Sequence, residues 1–111
     1  MNVLKQRREF VAASKARRAP APGFLLQARE RAEGEPGEGL RVGFTCSKKV
    51  GNAVARNRAK RRLRALAHEV LLAEGLTGWD YVLVGKPGAT AERDFDALRG
   101  DLRKALARVH G

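Results

Sequence analysis

Lys48-Lys49-Val50-Gly51-Asn52-Ala53-Val54-Ala55-Arg56-Asn57-Arg58-Ala59-Lys60-Arg61-Arg62-Leu63-Arg64 contains no acidic residue, and it stands between two β-favouring runs. At about 100° per residue, a helix from residue 53 onward gathers Arg56, Asn57, Lys60, Arg61, Arg64 and His68 on one side. Ala55, Ala59, Leu63, Leu66 and Val70 fall on another, so the spacing predicts an amphipathic helix with a core stripe beside a cationic one. Asn52 is placed to cap it, and Gly75 and Gly78 end it after about Leu72. A solubilising face would mix both charge signs, but the chain runs from Arg41 to Arg64 without one Asp or Glu. Such a stripe calls for an anionic partner.

The flanking segments supply the strands. Leu40 to Ser47 alternates, with Val42, Phe44 and Cys46 on a core side and Gly43, Thr45 and Ser47 on a shallow outer side. Trp79 to Val84 is a dense β-favouring run closed by Gly85-Lys86-Pro87-Gly88. Phe24 to Arg29 reads as a strand joined to Leu40–Ser47 as a hairpin through the acidic loop from Glu33 to Gly39. Residues 2 to 15 read as a short basic helix with Asn2 as its cap, stopped by Ala19-Pro20-Ala21-Pro22-Gly23. A last helix covers about Ala91 to Arg108, its acids early and its bases late, as the helix dipole favours. The order αββαβα predicts a single-domain, two-layer α+β sandwich over residues 1–111.

With 111 residues there is room for one modest core. The formal charge of +11 and pI near 11.1 make nucleic acid the leading partner. No run approaches the roughly 20 apolar residues of a membrane helix, and the N-terminus lacks the apolar segment of a signal peptide, so a cytoplasmic location is expected. Cys46 is alone and reads as a buried small residue. His68 and His110, at the chain end, read as exposed and incidental. No nucleophile, general base or carboxylate pair can be assembled, and Gly51-Asn52 lacks the glycine spacing of a nucleotide loop.

From Ser47 through Arg64 the sequence closely resembles the signature of the bacterial ribonuclease P protein component, whose Arg-Asn-Arg helix corresponds to Arg56-Asn57-Arg58. Leu4 to Phe10, Arg41-Val42-Gly43 and Asp80 to Val84 resemble the family's first helix and the strands flanking its motif. The resemblance implies the small subunit of a ribonucleoprotein endonuclease that removes the 5′ leader from precursor tRNA, with Mg²⁺-dependent hydrolysis on the RNA subunit. It also implies that Lys48, Lys49, Asn52, Arg56, Asn57, Arg58, Lys60, Arg61 and Arg64 meet RNA, and that Phe10, Leu25, Gln27 and Thr45 line a cleft for the leader. It implies no membrane and no obligate protein partner. The family often has a second aromatic and a tyrosine where this chain has Ser14 and Gln27, so stacking in the cleft is weaker here. Crossovers between parallel strands are right-handed by default, whereas the resemblance implies a left-handed one. Two other classes are a structural RNA-binding protein of ribosomal type and an autonomous nuclease built on His68.

Overall fold

The computed structural model describes residues 2–111. At its centre the parallel strands β4 (Arg41–Thr45) and β5 (Trp79–Gly85) pair with Val42 opposite Tyr81 and Phe44 opposite Leu83. The segment between them forms the crossover. It starts with a 3₁₀ turn, Lys48–Val50, in which Ser47 Oγ accepts from the Lys49 N–H at 3.3 Å. Gly51 follows at φ 144°, where a Cβ would lie 2.8 Å from that of Ala55. Asn52 then caps α2 (Ala53–Leu66), its Oδ1 accepting from the Ala55 N–H at 3.0 Å, as its position before the basic run predicts.

Helix α2 passes into one π turn, Ala67–Leu71, and ends in α3 (Leu72–Glu74). Ala59, Leu63, Leu66 and Val70 are buried as expected, Ala55 is only half-buried, and the wider π turn brings Ala67 and Leu71 into the core as well. That change of phase has no counterpart in a constant helical period.

The sheet order is β1-β4-β5-β3-β2, which corrects the expected hairpin. Strand β3 (Phe24–Glu30) pairs antiparallel with β5 rather than with β4, so β5 is inserted between them. The physical reason is that β5 is apolar on both sides, with Tyr81 and Leu83 towards one face and Val82 towards the other, which suits an interior strand. Two short edge strands also escaped the periodicity. β1 (Asn2–Val3) pairs parallel with β4, and β2 (Arg17–Pro20) pairs antiparallel with β3. Pro20 lies on an edge strand, which tolerates a missing N–H, and the Ala21-Pro22-Gly23 segment closes a hairpin through Ala21 N–H to Phe24 O at 2.9 Å. Asn2 is therefore a strand residue bonded to Glu38 O, not a helix cap. The first helix, α1 (Arg7–Ser14), begins later, with the Glu9 carboxylate accepting from Gln6 N–H at 2.8 Å and Lys5 N–H at 3.1 Å.

The last expected helix is two: α4 (Ala89–Glu92) and α5 (Phe95–His110), separated by extended Arg93 and restarted by Asp94, whose carboxylate accepts from Ala97 N–H. The main core lies where Phe24, Leu26, Val42, Tyr81 and Leu83 meet Leu63, Leu66 and Val70 of α2 and Leu98, Leu102, Leu106 and Val109 of α5. The α+β sandwich predicted from the sequence is this layer of sheet against α2 and α5, with α1 covering part of the opposite face through Ala13, Val82 and Leu4.

A buried ionic junction ties these parts together. Asp80, 1% exposed, accepts from Arg31 Nη1 at 2.6 Å and from Arg41 Nε and Nη2 at 2.8 Å each. Arg41 also reaches Glu9 of α1 at 2.6 Å, and Arg31 donates to the Trp79 and Gly39 carbonyls. Asp80→Ala leaves both guanidiniums without their buried anion and should lower unfolding free energy by about 3–5 kcal/mol in urea titration.

His110 also departs from expectation, because it is packed rather than incidental. Its Nε2 lies 2.8 Å from the Tyr81 hydroxyl, and its ring stands edge-on to Trp79 at 4.4 Å. Burial, helped by the Arg17 charge, lowers its pKa below the usual 6.5. A depressed histidine binds its proton more tightly when unfolded, so this contribution is complete above about pH 6.5 and is lost as pH falls through the folded value. Stability followed by fluorescence of Trp79 should therefore show a mildly acidic decline that His110→Gln reduces.

Candidate nucleic-acid interface

Helix α2 presents its cations in two groups. Asn57, Arg58, Arg61 and Arg64 are exposed, as are Lys48, Lys49 and Asn52 at its start. Arg56 and Lys60 are half-buried against the sheet edge, and the Arg56 Nε is buried without a hydrogen-bond partner. The Arg64 guanidinium lies 5.8 Å from the centre of the Phe44 ring. Among the described residues no ion pair involves Lys48, Lys49, Arg56, Arg58, Lys60, Arg61 or Arg64. Arg56 to Arg64 covers roughly 12 Å of helix axis, so the unpaired charges are dense.

Arg62 is the exception within the basic run. It donates to the Thr90 carbonyl at 2.9 Å and to that of Arg93, clamping the end of α4, and it lies over Phe95. Its work is structural.

Beside α2 lies an open trough of about 420 Å³, lined by Arg7, Phe10, Phe44, Thr45, Cys46 and Lys60. Gly43 makes its geometry possible, since a Cβ there would lie 2.5 Å from Phe10 Cε1. Phe10 thus rests on bare backbone, partly buried against the cluster of Leu4, Ala13 and Val82. Strand register places Thr45, Val84 and Leu25 in one row and Gly43, Val82 and Gln27 in the next, all on the face that α1 covers. Phe10 and Thr45 therefore share the trough with Lys60, whereas Leu25 and Gln27 share its sheet face but do not line it. Ser14 donates its hydroxyl to the Val11 carbonyl at 2.7 Å.

Sequence reasoning missed three lining residues. Arg7 carried a signal, standing one helical turn before Phe10, but Phe44 and Cys46 read only as core. Both pack against the core and reach the trough as well. Burial raises the Cys46 pKa despite nearby Lys60 and Arg56, so its thiol is a poor nucleophile.

His68 is exposed on the π turn. The described residues contain no group of three or more His, Cys, Asp or Glu placed to hold a metal ion. The buried carboxylates are already satisfied, Asp80 by Arg31 and Arg41 and Asp101 by Arg93 and the Gly23 N–H. This surface is rich in groups that suit phosphate. No described helix is long and apolar enough to cross a membrane.

Known proteins share this sequence and fold. The Ribonuclease P family matches residues 1–110. A ribonuclease P protein component of Ruegeria pomeroyi is 59% identical, over 99% of this chain and 87% of the relative. One from Gluconacetobacter diazotrophicus is 50% identical, over 96% of this chain and 89% of the relative. In fold, the chain is similar to the RNase P protein from Thermotoga maritima, with a TM-score of 0.76 at 23% identity and 100% of both chains covered. The Staphylococcus aureus RNase P protein gives the same score and identity over 97% of this chain and 94% of that one. With the motif helix, the trough beside it and the match over nearly the whole length in agreement, this chain belongs to the ribonuclease P protein family.

Proposed function

We propose that this protein assists the ribonuclease P RNA subunit in removing the 5′ leader of precursor tRNA in the cytoplasm, with the outer cations of α2 on the RNA subunit and the trough on the single-stranded leader. The supporting observation is the row of cations on α2 and its 3₁₀ turn that no carboxylate neutralises. By contrast, Arg29, Arg31, Arg41, Arg93, Arg99 and Arg103 each hold a carboxylate, and Arg62 of the same run holds two carbonyls.

The roles follow from placement. Arg58, Arg61, Lys48 and Lys49 face outward and neutralise phosphates that would otherwise repel one another, releasing counterions as they bind. Lys60 and Arg7 line the trough beside Phe10, so a leader phosphate can meet a cation while a base lies against the ring. Such contacts fix position and orientation without reading sequence. Mg²⁺, bound with the RNA subunit, would supply activation of water and stabilisation of the leaving oxygen. The protein's own contribution is to hold the leader in place and reduce phosphate repulsion, which lowers the Mg²⁺ required.

Replacing Lys49, Arg58 and Arg61 together with Ala should leave the melting temperature almost unchanged, because none has a side-chain partner among the described residues. In filter binding to the RNA subunit, each lost contact should reduce the log–log salt slope by about 0.7 to 0.9. An unchanged slope removes the outer face of α2 from the interface. Arg62→Ala should do the reverse, costing about 1–3 kcal/mol of stability by orphaning two carbonyls while leaving the slope nearly intact.

Phe10→Ala should weaken binding of leader-bearing precursor by about 1–3 kcal/mol and leave leaderless tRNA unaffected. Equal losses on both RNAs would make Phe10 only a packing residue.

A further inference from the structure

Helix α1 has a second trough on its other side, of about 390 Å³, lined by Arg8, Glu9, Ala12, Arg29, Glu35, Pro36, Arg41 and Asp80. Its three arginines differ in how firmly they are held. Arg41 is saturated by Asp80 of the central strand and Glu9 of α1, neither of which can leave without dismantling the sheet or the helix. Arg8 is exposed, and no ion pair among the described residues uses it. Arg29 projects from β3 on the α1 face, and its partner is Glu35, which it grips with both Nη atoms, Nη1 to Oε2 at 3.0 Å and Nη2 to Oε1. A fork on a carboxylate is also the geometry in which arginine takes phosphate.

Glu35 sits near the tip of the loop between β3 and β4, whose far end is held by Asn2 on the Glu38 carbonyl and by Arg31 and the Gly78 N–H on the Gly39 carbonyl. Gly34, Gly37 and Gly39 adopt φ of 85°, 118° and 62° around it. The turn is closed internally by Glu35 N–H to Ala32 O and Ala32 N–H to Glu35 Oε1, each 3.0 Å, two bonds that do not involve Arg29. The pair is part-exposed, with side chains 27% and 30% accessible, and such pairs are weak. The Arg29 fork holds the Glu35 carboxyl down at about 2, so a full negative charge occupies this position at every physiological pH.

We propose that Arg29 is a phosphate-binding residue of the second trough, that Glu35 occupies its fork in the free protein as a stand-in for an RNA phosphate, and that bound RNA displaces the Glu35 loop. The proposal rests on the RNA-binding function above and adds an RNA contact on the side of α1 away from Phe10. Arg8 completes the site from α1. The phosphate belongs either to the distal part of the leader, continuing past α1, or to the RNA subunit.

The test compares Glu35→Gln with Glu33→Gln, which removes the same charge from the same loop, each alone and combined with Arg29→Gln. Filter binding at low salt is measured with long-leader precursor, leaderless tRNA and the RNA subunit alone. Glu35→Gln should tighten RNA binding roughly two- to five-fold, the inverse of a weak exposed pair. The gain should vanish in the Arg29→Gln background, while Glu33→Gln should show no dependence on Arg29. A gain on long-leader precursor but not on leaderless tRNA assigns the phosphate to the leader, and a gain with the RNA subunit alone assigns it there. Equal gains from Glu33→Gln and Glu35→Gln, or a Glu35→Gln gain that persists without Arg29, would overturn the proposal in favour of net charge. Salt-dependent binding by the unmodified protein is measured alongside. Its absence would count against the RNA-binding function itself, separately from the Arg29 contact. Arg29→Lys keeps the charge without the fork, and melting curves confirm that each variant is folded at the assay temperature.

Discussion

Everything on the open face of the sheet depends on how α1 is held there, and the buried Asp80 carboxylate is the fixed point. Asp80 lies on the central strand, anchors Arg41 of β4 and Arg31 of the loop after β3, and through Arg41 reaches Glu9 of α1. Glu9 also accepts from the Gln6 and Lys5 N–H groups just before α1, and the Gln6 bond above all lowers its pKa and keeps it charged. One relay thus sets both the position of α1 and the start of that helix. Phe10 then lies on Gly43 with no side chain beneath it, and the troughs on either side of α1 follow from this one placement. The desolvation of so many charges is substantial, so the junction adds less net stability than its short contacts suggest, although removing one partner is costly.

The electrostatic plan is one of segregation. Acids that pair do so with Arg29, Arg31, Arg41, Arg93, Arg99 and Arg103, on the sheet, the loop and α5, while α2 and its leading turn keep their cations unpaired. Like charges along one helix destabilise it. The fold tolerates them because Leu63, Leu66, Val70 and Leu71 bury the opposite side and Asn52 and Ser47 secure the start. At physiological salt the screening length is about 8 Å, so neighbouring cations on α2 act together on a phosphate strand. Arg62 shows that charge composition alone misleads, since it belongs to the same run yet spends its donors on backbone carbonyls.

Where a local signal is strong, sequence and structure agree. The acid-free run is helical, Asn52 caps it, and the alternation of Val42, Phe44 and Cys46 against Gly43 and Thr45 survives in β4. What could not be read locally is partnership. Whether β4 lies beside β3 or β5 depends on β5 being apolar on both faces, a global property of how the sheet is covered. β1 and β2 are too short for a period and owe their existence to neighbouring strands. The π turn is a phase change that no constant period contains, and His110 is packed because Tyr81 and Trp79 meet it from a distant strand. In the cleft, Phe10 and Thr45 converge, whereas Leu25 and Gln27 reach only the same face, since the register separates them by the width of β5.

In this account binding and positioning fall to the protein, and the hydrolysis to the RNA subunit. The most direct measurement is cleavage of leader-bearing precursor tRNA across an Mg²⁺ titration by protein alone, by RNA subunit alone and by both. No cleavage is expected from the protein at any Mg²⁺ concentration, with its addition to the RNA lowering the Mg²⁺ midpoint and favouring precursor over mature tRNA. Specific 5′ cleavage by RNA-free protein, abolished by His68→Ala, would contradict this account and place the chemistry on the protein.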